Sequence, residues 1–329
     1  MLASQAFRRA SRGFASTAPA SLSARTNHLN GSARLFVTGA TLTVGGLIGY
    51  GSYSTISVVQ ADAATPAVVN TALDPAAFKS FKLAKIEKMN HNTSRFSFAL
   101  PPNTAELGLP VTSCLVIKFV TAGDGEESKT VVRPYTPVDG KGKGFFDLIV
   151  KLYPHGPAST HIHAMKVGDT LDMKGPIHKY ILKPNEFKHI GMIAGGTGLT
   201  PMLQVITHLL AQPADTTKLS LIFANVTEDD ILLKEYLDKT AKASNGRFEV
   251  LYTLDKPREG WNGATGFVNE DMIKRMMPKP DDKSGMVFVC GPTPMMGLVS
   301  GVKAPDYSQG ELGGLLSKLG YEKKNVFKF

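Results

Sequence analysis

The chain has 329 residues, 43% of them hydrophobic and 20% charged, enough to bury the cores of two ordinary domains. Its 37 basic and 28 acidic residues give a net charge of +9, yet five of the arginines (Arg8, Arg9, Arg12, Arg25, Arg34) lie in the first 61 residues, which hold no lysine and no acid. What remains is a mild positive excess that gives no argument for nucleic acid and suits an acidic protein partner. Cys114 and Cys290 are too few for a disulfide framework or a thiolate-held iron–sulfur cluster.

Residues 1–34 are rich in Arg, Ser and Ala and could set Arg and Phe on opposed faces of a helix, the composition of a mitochondrial presequence. Residues 35–59 carry no charge and are long enough to cross a bilayer, so a membrane anchor is expected there, with a flexible Gly/Ser-rich linker as the other reading. Residues 60–77 read as a linker.

From residue 78 to 184 short apolar or alternating stretches recur at 81–89, 95–100, 113–120, 130–135, 145–153 and 170–174, separated by turn residues. That spacing predicts a small antiparallel β-barrel domain. Within it, Arg133-Pro134-Tyr135-Thr136-Pro137 places a cation, an aromatic ring and a hydroxyl on one stiff extended segment. A guanidinium can pair with a pyrophosphate, a ring can pack on a flat heterocycle and a hydroxyl can donate to a ring nitrogen, a set that suits a bound flavin. Alone, the same residues also fit a proline-bounded edge strand with a surface arginine. His161 and His163 diverge on a helix and lack an acidic or cysteine partner nearby, so no metal site is expected.

From residue 185 to 329 strands alternate with helices, which predicts a doubly wound parallel α/β domain. Residues 189–194 form an apolar strand that runs into Gly195-Gly196-Thr197-Gly198-Leu199-Thr200-Pro201 and an amphipathic run at 202–210. A backbone without Cβ atoms can approach phosphates there, and Thr200 before Pro201 reads as an N-cap followed by proline. Further strands are expected at 219–224, 248–254 and 286–290, with a helix over 229–243. The last strand ends in Cys290-Gly291-Pro292, after which a new helix that carries Met295 begins. Both turns should face one crevice beyond the carboxyl ends of the strands.

These motifs, in this order, resemble the flavin reductases of the ferredoxin-reductase superfamily, and most nearly the NADH–cytochrome b5 reductases in their fungal mitochondrial form. The resemblance runs from about residue 78 to 329 and includes His91-Asn92-Thr93, Phe223-Ala224-Asn225 and the terminal Phe329. It implies FAD and NADH as cofactors, hydride transfer from nicotinamide to flavin, and single-electron delivery to cytochrome b5 or a similar acidic haem protein. It implies flavin contacts from His91, Arg133, Pro134, Tyr135, Thr136, Ile149, Val150, Lys151 and Tyr153, and a pyrophosphate loop at Gly156, Ala158 and Ser159. Ala158 stands where the family commonly has methionine, which leaves that loop to backbone amides and Ser159.

The resemblance further implies that Gly195, Gly196, Thr197, Gly198, Thr200, Pro201, Cys290, Gly291, Pro292 and Met295 line the nicotinamide nucleotide site. Thr136, Lys151, Thr200 and Cys290 would lie nearest the chemistry, with Cys290 an orienter rather than a nucleophile. Asp255 would disfavour the extra phosphate of NADPH by like-charge repulsion, an effect that Lys256 and Arg258 could soften. Val226 and Ala264 depart from the family's Gln and Gly. Lys82, Lys85, Lys88 and Lys118 could steer an acidic partner or simply be solvated. A monomeric catalytic region tethered at the mitochondrial outer membrane is expected. Two readings stay open beside it: an NADPH-dependent reductase with another acceptor, and a membrane-anchored nucleotide-binding protein without catalysis.

Overall fold

The computed structural model describes residues 70–104, 106–121, 128–138 and 144–329, all within one compact unit. The expected presequence, the anchor and most of the linker lie outside the described residues. Among the described residues no helix is long and apolar enough to cross a membrane.

The first half comprises β1 (Lys79–Lys88), β2 (Thr93–Ala99), β3 (Ser113–Thr121), β4 (Lys129–Tyr135), β5 (Phe145–Lys151), the helix α1 (Pro157–Ala164) and β6 (Thr170–His178). Its strands form an antiparallel sheet in the order β4-β3-β6-β1-β2-β5. Residues 79–82 of β1 pair with β6, whereas Leu83 and residues 85–88 pair with β2 across a register shift at Leu83/Lys85. A strand that changes partner at a bulge bends the sheet. The sheet therefore curls as a barrel does, but its end strands β4 and β5 do not pair with each other among the described residues, so it stays open.

Alternation on β1 sends Phe81 and Leu83 inward, where they meet Phe96, Phe98, Phe146 and Leu148. The rings of Phe81 and Phe146 pack edge-on at 5.3 Å, and those of Phe98 and Phe146 stack at 5.7 Å. Each such buried ring contributes about 2–3 kcal/mol, more than any exposed ion pair on this sheet.

The second half comprises β7 (His189–Gly195), α2 (Leu199–Leu210), β8 (Lys218–Asn225), α3 (Lys234–Ala243), β9 (Phe248–Leu254), β10 (Ala264–Thr265), α4 (Glu270–Met276), β11 (Gly285–Cys290), α5 (Thr293–Val299), α6 (Gly314–Lys318) and β12 (Val326–Lys328). All its strands are parallel, in the order β10-β9-β8-β7-β11-β12. Alternate residues feed separate cores: Ile190, Met192, Phe223 and Phe288 join one, while Ile193, Ile222, Val287 and Val289 join the other. Burial on both faces explains why these strands read as continuous apolar runs. Successive strands run outward from β7 to β10, then the chain returns to place β11 on the other side of β7. The strand order reverses between β7 and β11, and ligands of open α/β sheets bind at such a reversal.

Two helical expectations are corrected. The N-cap of α2 is Gly198, not Thr200, because residues 196–198 form a 3-10 turn that starts the helix early; Thr200 and Pro201 lie buried in its first turn, with the Thr200 hydroxyl donating to the Thr197 carbonyl at 3.1 Å. The single helix expected over 229–243 is broken: a 3-10 turn covers Glu228–Asp230, Leu233 takes a left-handed φ of 55°, and α3 begins at Lys234.

Candidate active site at the junction of the two sheets

The segment Arg133 to Pro137 ends β4, an edge strand, where proline costs no ladder hydrogen bond on the open side. Val131, Arg133 and Tyr135 share a face by alternation; Val131 joins the core and Tyr135 packs against it. Arg133 is exposed, and its guanidinium donates to the Val132 carbonyl at 2.8 Å. Burial pushes the Tyr135 phenol up to about 12, with the Arg133 charge pulling it down and Tyr153 pushing it up. Thr136 is half-buried at the strand's end. The carbonyl of Pro137 accepts from the Gln204 side chain of α2 at 3.1 Å, so the motif is joined directly to the nucleotide-side helix.

Strand β5 lies at the other end of the sheet and divides its side chains between the two halves: Ile149 packs in the core of the parallel sheet and Val150 in that of the antiparallel one. Both are buried, so only their backbone can face a ligand. Lys151 follows, its ammonium 3.4 Å from Asp230, and His91 lies 3.8 Å from the same carboxylate oxygen. Tyr153 is 46% exposed and has a ring free to stack.

In the first turn of α1, Ala158 and Ser159 point inward. Ala158 joins the core, and the Ser159 hydroxyl accepts from the Tyr153 amide at 3.0 Å and reaches the Gly156 and Tyr153 carbonyls. Ser159 thus braces the loop, and the amides at the helix start beyond Gly156, which no side chain caps, can donate to an anion. His161 stacks on Phe119 at 3.9 Å, while the His163 ring meets Phe96 and lies 2.9 Å from the Val150 carbonyl, so both imidazoles are engaged in packing.

On the nucleotide side, the two turns press together. Gly195 and Gly291 both lie where a Cβ would strike the Met295 side chain, and a Cβ on Gly291 would stand 3.2 Å from the Gly195 nitrogen. Gly198 lies against the Cys290 carbonyl with no space for a methyl group, whereas Gly196, at a left-handed φ of 53°, faces open space. Thr197 is half-buried beside them, and Pro292 caps α5. Burial pushes the Cys290 thiol up to about 12, which keeps it protonated and supports the role of orienter over nucleophile. Asp255 stands at the surface with its amide on the Asn225 carbonyl, and partial desolvation raises the pKa of its carboxyl against the pull of Lys256. Arg258 is engaged by Asp229 rather than left beside Asp255.

The chemistry of these residues fits a dinucleotide. Asn225, 7% exposed, ends β8 on the face of Leu221 and Phe223, with both side-chain amide atoms buried and unpaired. Such a group costs about 1–3 kcal/mol until a ligand satisfies it. Sequence reasoning gave Asn225 no role, and nothing in its residue type foretold the missing partners. It also passed over Asp230, for which the pattern Thr227-x-x-Asp230 was an available signal: the structure shows a capping box there.

An open antiparallel sheet with an arginine-tyrosine-threonine edge, joined to a parallel sheet with glycine turns at its reversal point, defines a two-domain oxidoreductase that binds FAD and NAD. The family models agree, with an oxidoreductase FAD-binding domain matching residues 80–181 and an oxidoreductase NAD-binding domain matching residues 192–301. The chain is 43% identical over its whole length to an Arabidopsis thaliana NADH-cytochrome b5 reductase-like protein, itself fully covered, and 47% identical to NADH-cytochrome b5 reductase 2 of Mycosarcoma maydis, covering 82% of this chain and 77% of the relative. Among solved structures, the cytochrome b5 reductase domain of Ulva prolifera nitrate reductase matches with a TM-score of 0.68 and 33% identity, covering 79% of this chain and 99% of that one. The chain belongs to the NADH-cytochrome b5 reductase family.

Proposed function

We propose that this protein takes a hydride from NADH onto FAD and passes the electrons singly to cytochrome b5 or a similar acidic haem protein. The observation that carries the reading is the Gln204–Pro137 hydrogen bond, which fixes the end of the flavin-type strand against the helix that follows the nucleotide turn. When bound, the flavin converts a two-electron donor into single electrons.

The chain's own work is alignment and charge. Arg133 and the amides at the start of α1 offer positive potential to a pyrophosphate, Tyr135 and Tyr153 offer ring faces, and Thr136 offers a hydroxyl. Gly195, Gly196 and Gly198 let the backbone approach the second dinucleotide, and the neutral Cys290 thiol packs at its reacting end. No side chain need act as a general base in a hydride step. Lys82 and Lys88 are exposed on β1 and Lys118 lies on β3 near Phe78, which supports an acidic partner on this sheet.

The composition of residues 1–34 and 35–59 supports a presequence and a membrane anchor, which would tether the protein at a mitochondrial membrane. Anaerobic titration of the FAD-loaded protein with NADH and separately with NADPH tests the donor. Faster bleaching of the flavin by NADPH would overturn the NADH assignment, and no bleaching by either would favour the non-catalytic reading.

A further inference from the structure

The 3-10 turn at Glu228–Asp230 belongs to the parallel-sheet half, yet it accepts hydrogen bonds from three residues in two segments of the other half. The Asn90 side chain, in the β1–β2 turn, donates to the Asp229 carbonyl at 3.0 Å. Asn92, in the same turn, donates to Asp230 Oδ1 at 3.4 Å, and Lys151 at the end of β5 donates to that same oxygen at 3.4 Å. Thr93 pairs with Lys151 across the β2–β5 ladder, and the Leu152 amide donates to the Asn92 carbonyl at 2.7 Å. The turn and the lysine are therefore one unit, gripped from across the junction by one carboxylate.

The two oxygens of Asp230 divide their partners. Oδ2 serves its own half, accepting from the Thr227 amide at 3.1 Å and the Thr227 hydroxyl at 2.7 Å. Oδ1 serves the other, accepting from Asn92 and Lys151. The side chain is 7% exposed, where a charge is retained only when it is paired. Burial works to raise its pKa, but the Thr227 hydroxyl and the Lys151 charge outweigh it and hold the carboxyl below its usual range.

We propose that Asp230 is a cross-domain positioning residue: its Oδ1 straps the β1–β2 turn and Lys151 to the parallel-sheet half and so fixes where the Lys151 ammonium stands over the crevice. Asp230 itself touches neither dinucleotide in this account and acts through Lys151. The kinetic consequence rests on the NADH-dependent reading above; the structural consequence does not.

The test is Asp230→Asn in the full chain. The shorter Thr227 bonds hold the amide oxygen at the Oδ2 position, so the cap survives while an NH2 group replaces Oδ1 and opposes two donors. In the ligand-free protein, amide exchange over residues 90–93 and 151–152 is expected to quicken about fivefold or more, with residues 227–231 unchanged. Unchanged exchange at 90–93 overturns the strap, whether or not NADH reduces the flavin. In the FAD-loaded protein, Asp230→Asn is expected to slow flavin reduction by NADH about fivefold to tenfold, and by less than about twofold in a Lys151→Met background. Fully multiplicative losses overturn action through Lys151. If Asp230→Asn does not fold, Asn92→Ala breaks the strap from the other half with the cap intact and is read by the same exchange. An unmodified protein that NADH cannot reduce counts against the function alone, because the exchange result still decides the strap.

Discussion

Gly198 lies so close to the main-chain carbonyl of Cys290 that a Cβ at that position would overlap it. This contact brings the turn after β7 onto the turn after β11, and it is what makes one crevice of the two. Gly196, two residues earlier, is required for a different reason: its φ of 53° is left-handed, but a Cβ there would meet nothing within 4 Å. Gly198→Ala is therefore expected to lower unfolding stability by about 1–3 kcal/mol through overpacking and to weaken NADH binding as the turns part. Gly196→Ala should cost about 1 kcal/mol, from backbone conformation alone. Urea midpoints and NADH titrations of both variants check the order; a larger loss for Gly196→Ala would contradict the packing account.

Cys290 should be inert as a nucleophile. Its thiol is raised from 9.0 to about 12 by burial, so near pH 8 it holds about a thousandfold less thiolate than a free cysteine. Iodoacetamide should leave it unlabelled in the folded protein and label it on denaturation. The folded state disfavours the anion, so this group's contribution to stability is complete below about pH 9 and is lost as pH rises from there towards 12. Rapid labelling of the native protein at pH 8 would refute this environment.

Asp255→Ser is expected to raise kcat/KM for NADPH about tenfold or more while changing that for NADH less than about threefold, since the substitution removes a like charge from the edge of the site. Arg258, which could otherwise attract the extra phosphate, is paired with Asp229. Steady-state rates with both donors measure the ratio. An unchanged ratio would place the discrimination elsewhere.

Asp215 should carry an acid-dependent part of the stability. Its buried carboxylate accepts from the Asn185 amide at 2.8 Å and the Thr217 amide at 2.9 Å and pairs with Arg247 at 3.3 Å. Burial opposes the charge, but these partners outweigh it and hold the pKa below its usual 3.8. A depressed carboxyl stabilises the fold fully above the unfolded value and loses that contribution as pH falls through the folded one. Asp215→Ala should cost about 2–3 kcal/mol near pH 7 and progressively less below about pH 3.8. A cost that is constant from pH 7 to pH 2.5 would show that the charge has no part in it.

Much of this arrangement could be read from the residues, because the signals were local. The strand starts at Ser113, Phe145, Thr170, His189 and Phe248 coincide with those expected, since apolar runs flanked by turn residues mark them sharply. The glycine turns were legible because their chemistry is a property of the backbone. What escaped depends on distant partners. Asp230 sits in the acidic run Glu228-Asp229-Asp230, which reads as the solvated start of a helix until the fold sets Lys151 and Asn92 against it. Ser159 has a residue type suited to a phosphate, yet its hydroxyl is consumed by the loop it closes. The strand β12 is only three residues long and forms because β11 offers it a parallel edge, a fact no periodicity could reveal.

If one crevice joins an NADH donor to single-electron delivery, both half-reactions run in sequence on one protein. Sequential stopped-flow mixing tests it most directly: the FAD-loaded protein meets NADH without oxygen, and the reduced protein then meets oxidised cytochrome b5. Loss of the flavin absorbance is expected in the first mix, followed by two equivalents of cytochrome b5 reduced for each NADH consumed. Flavin reduction by NADH with no reduction of cytochrome b5 in the second mix would contradict it.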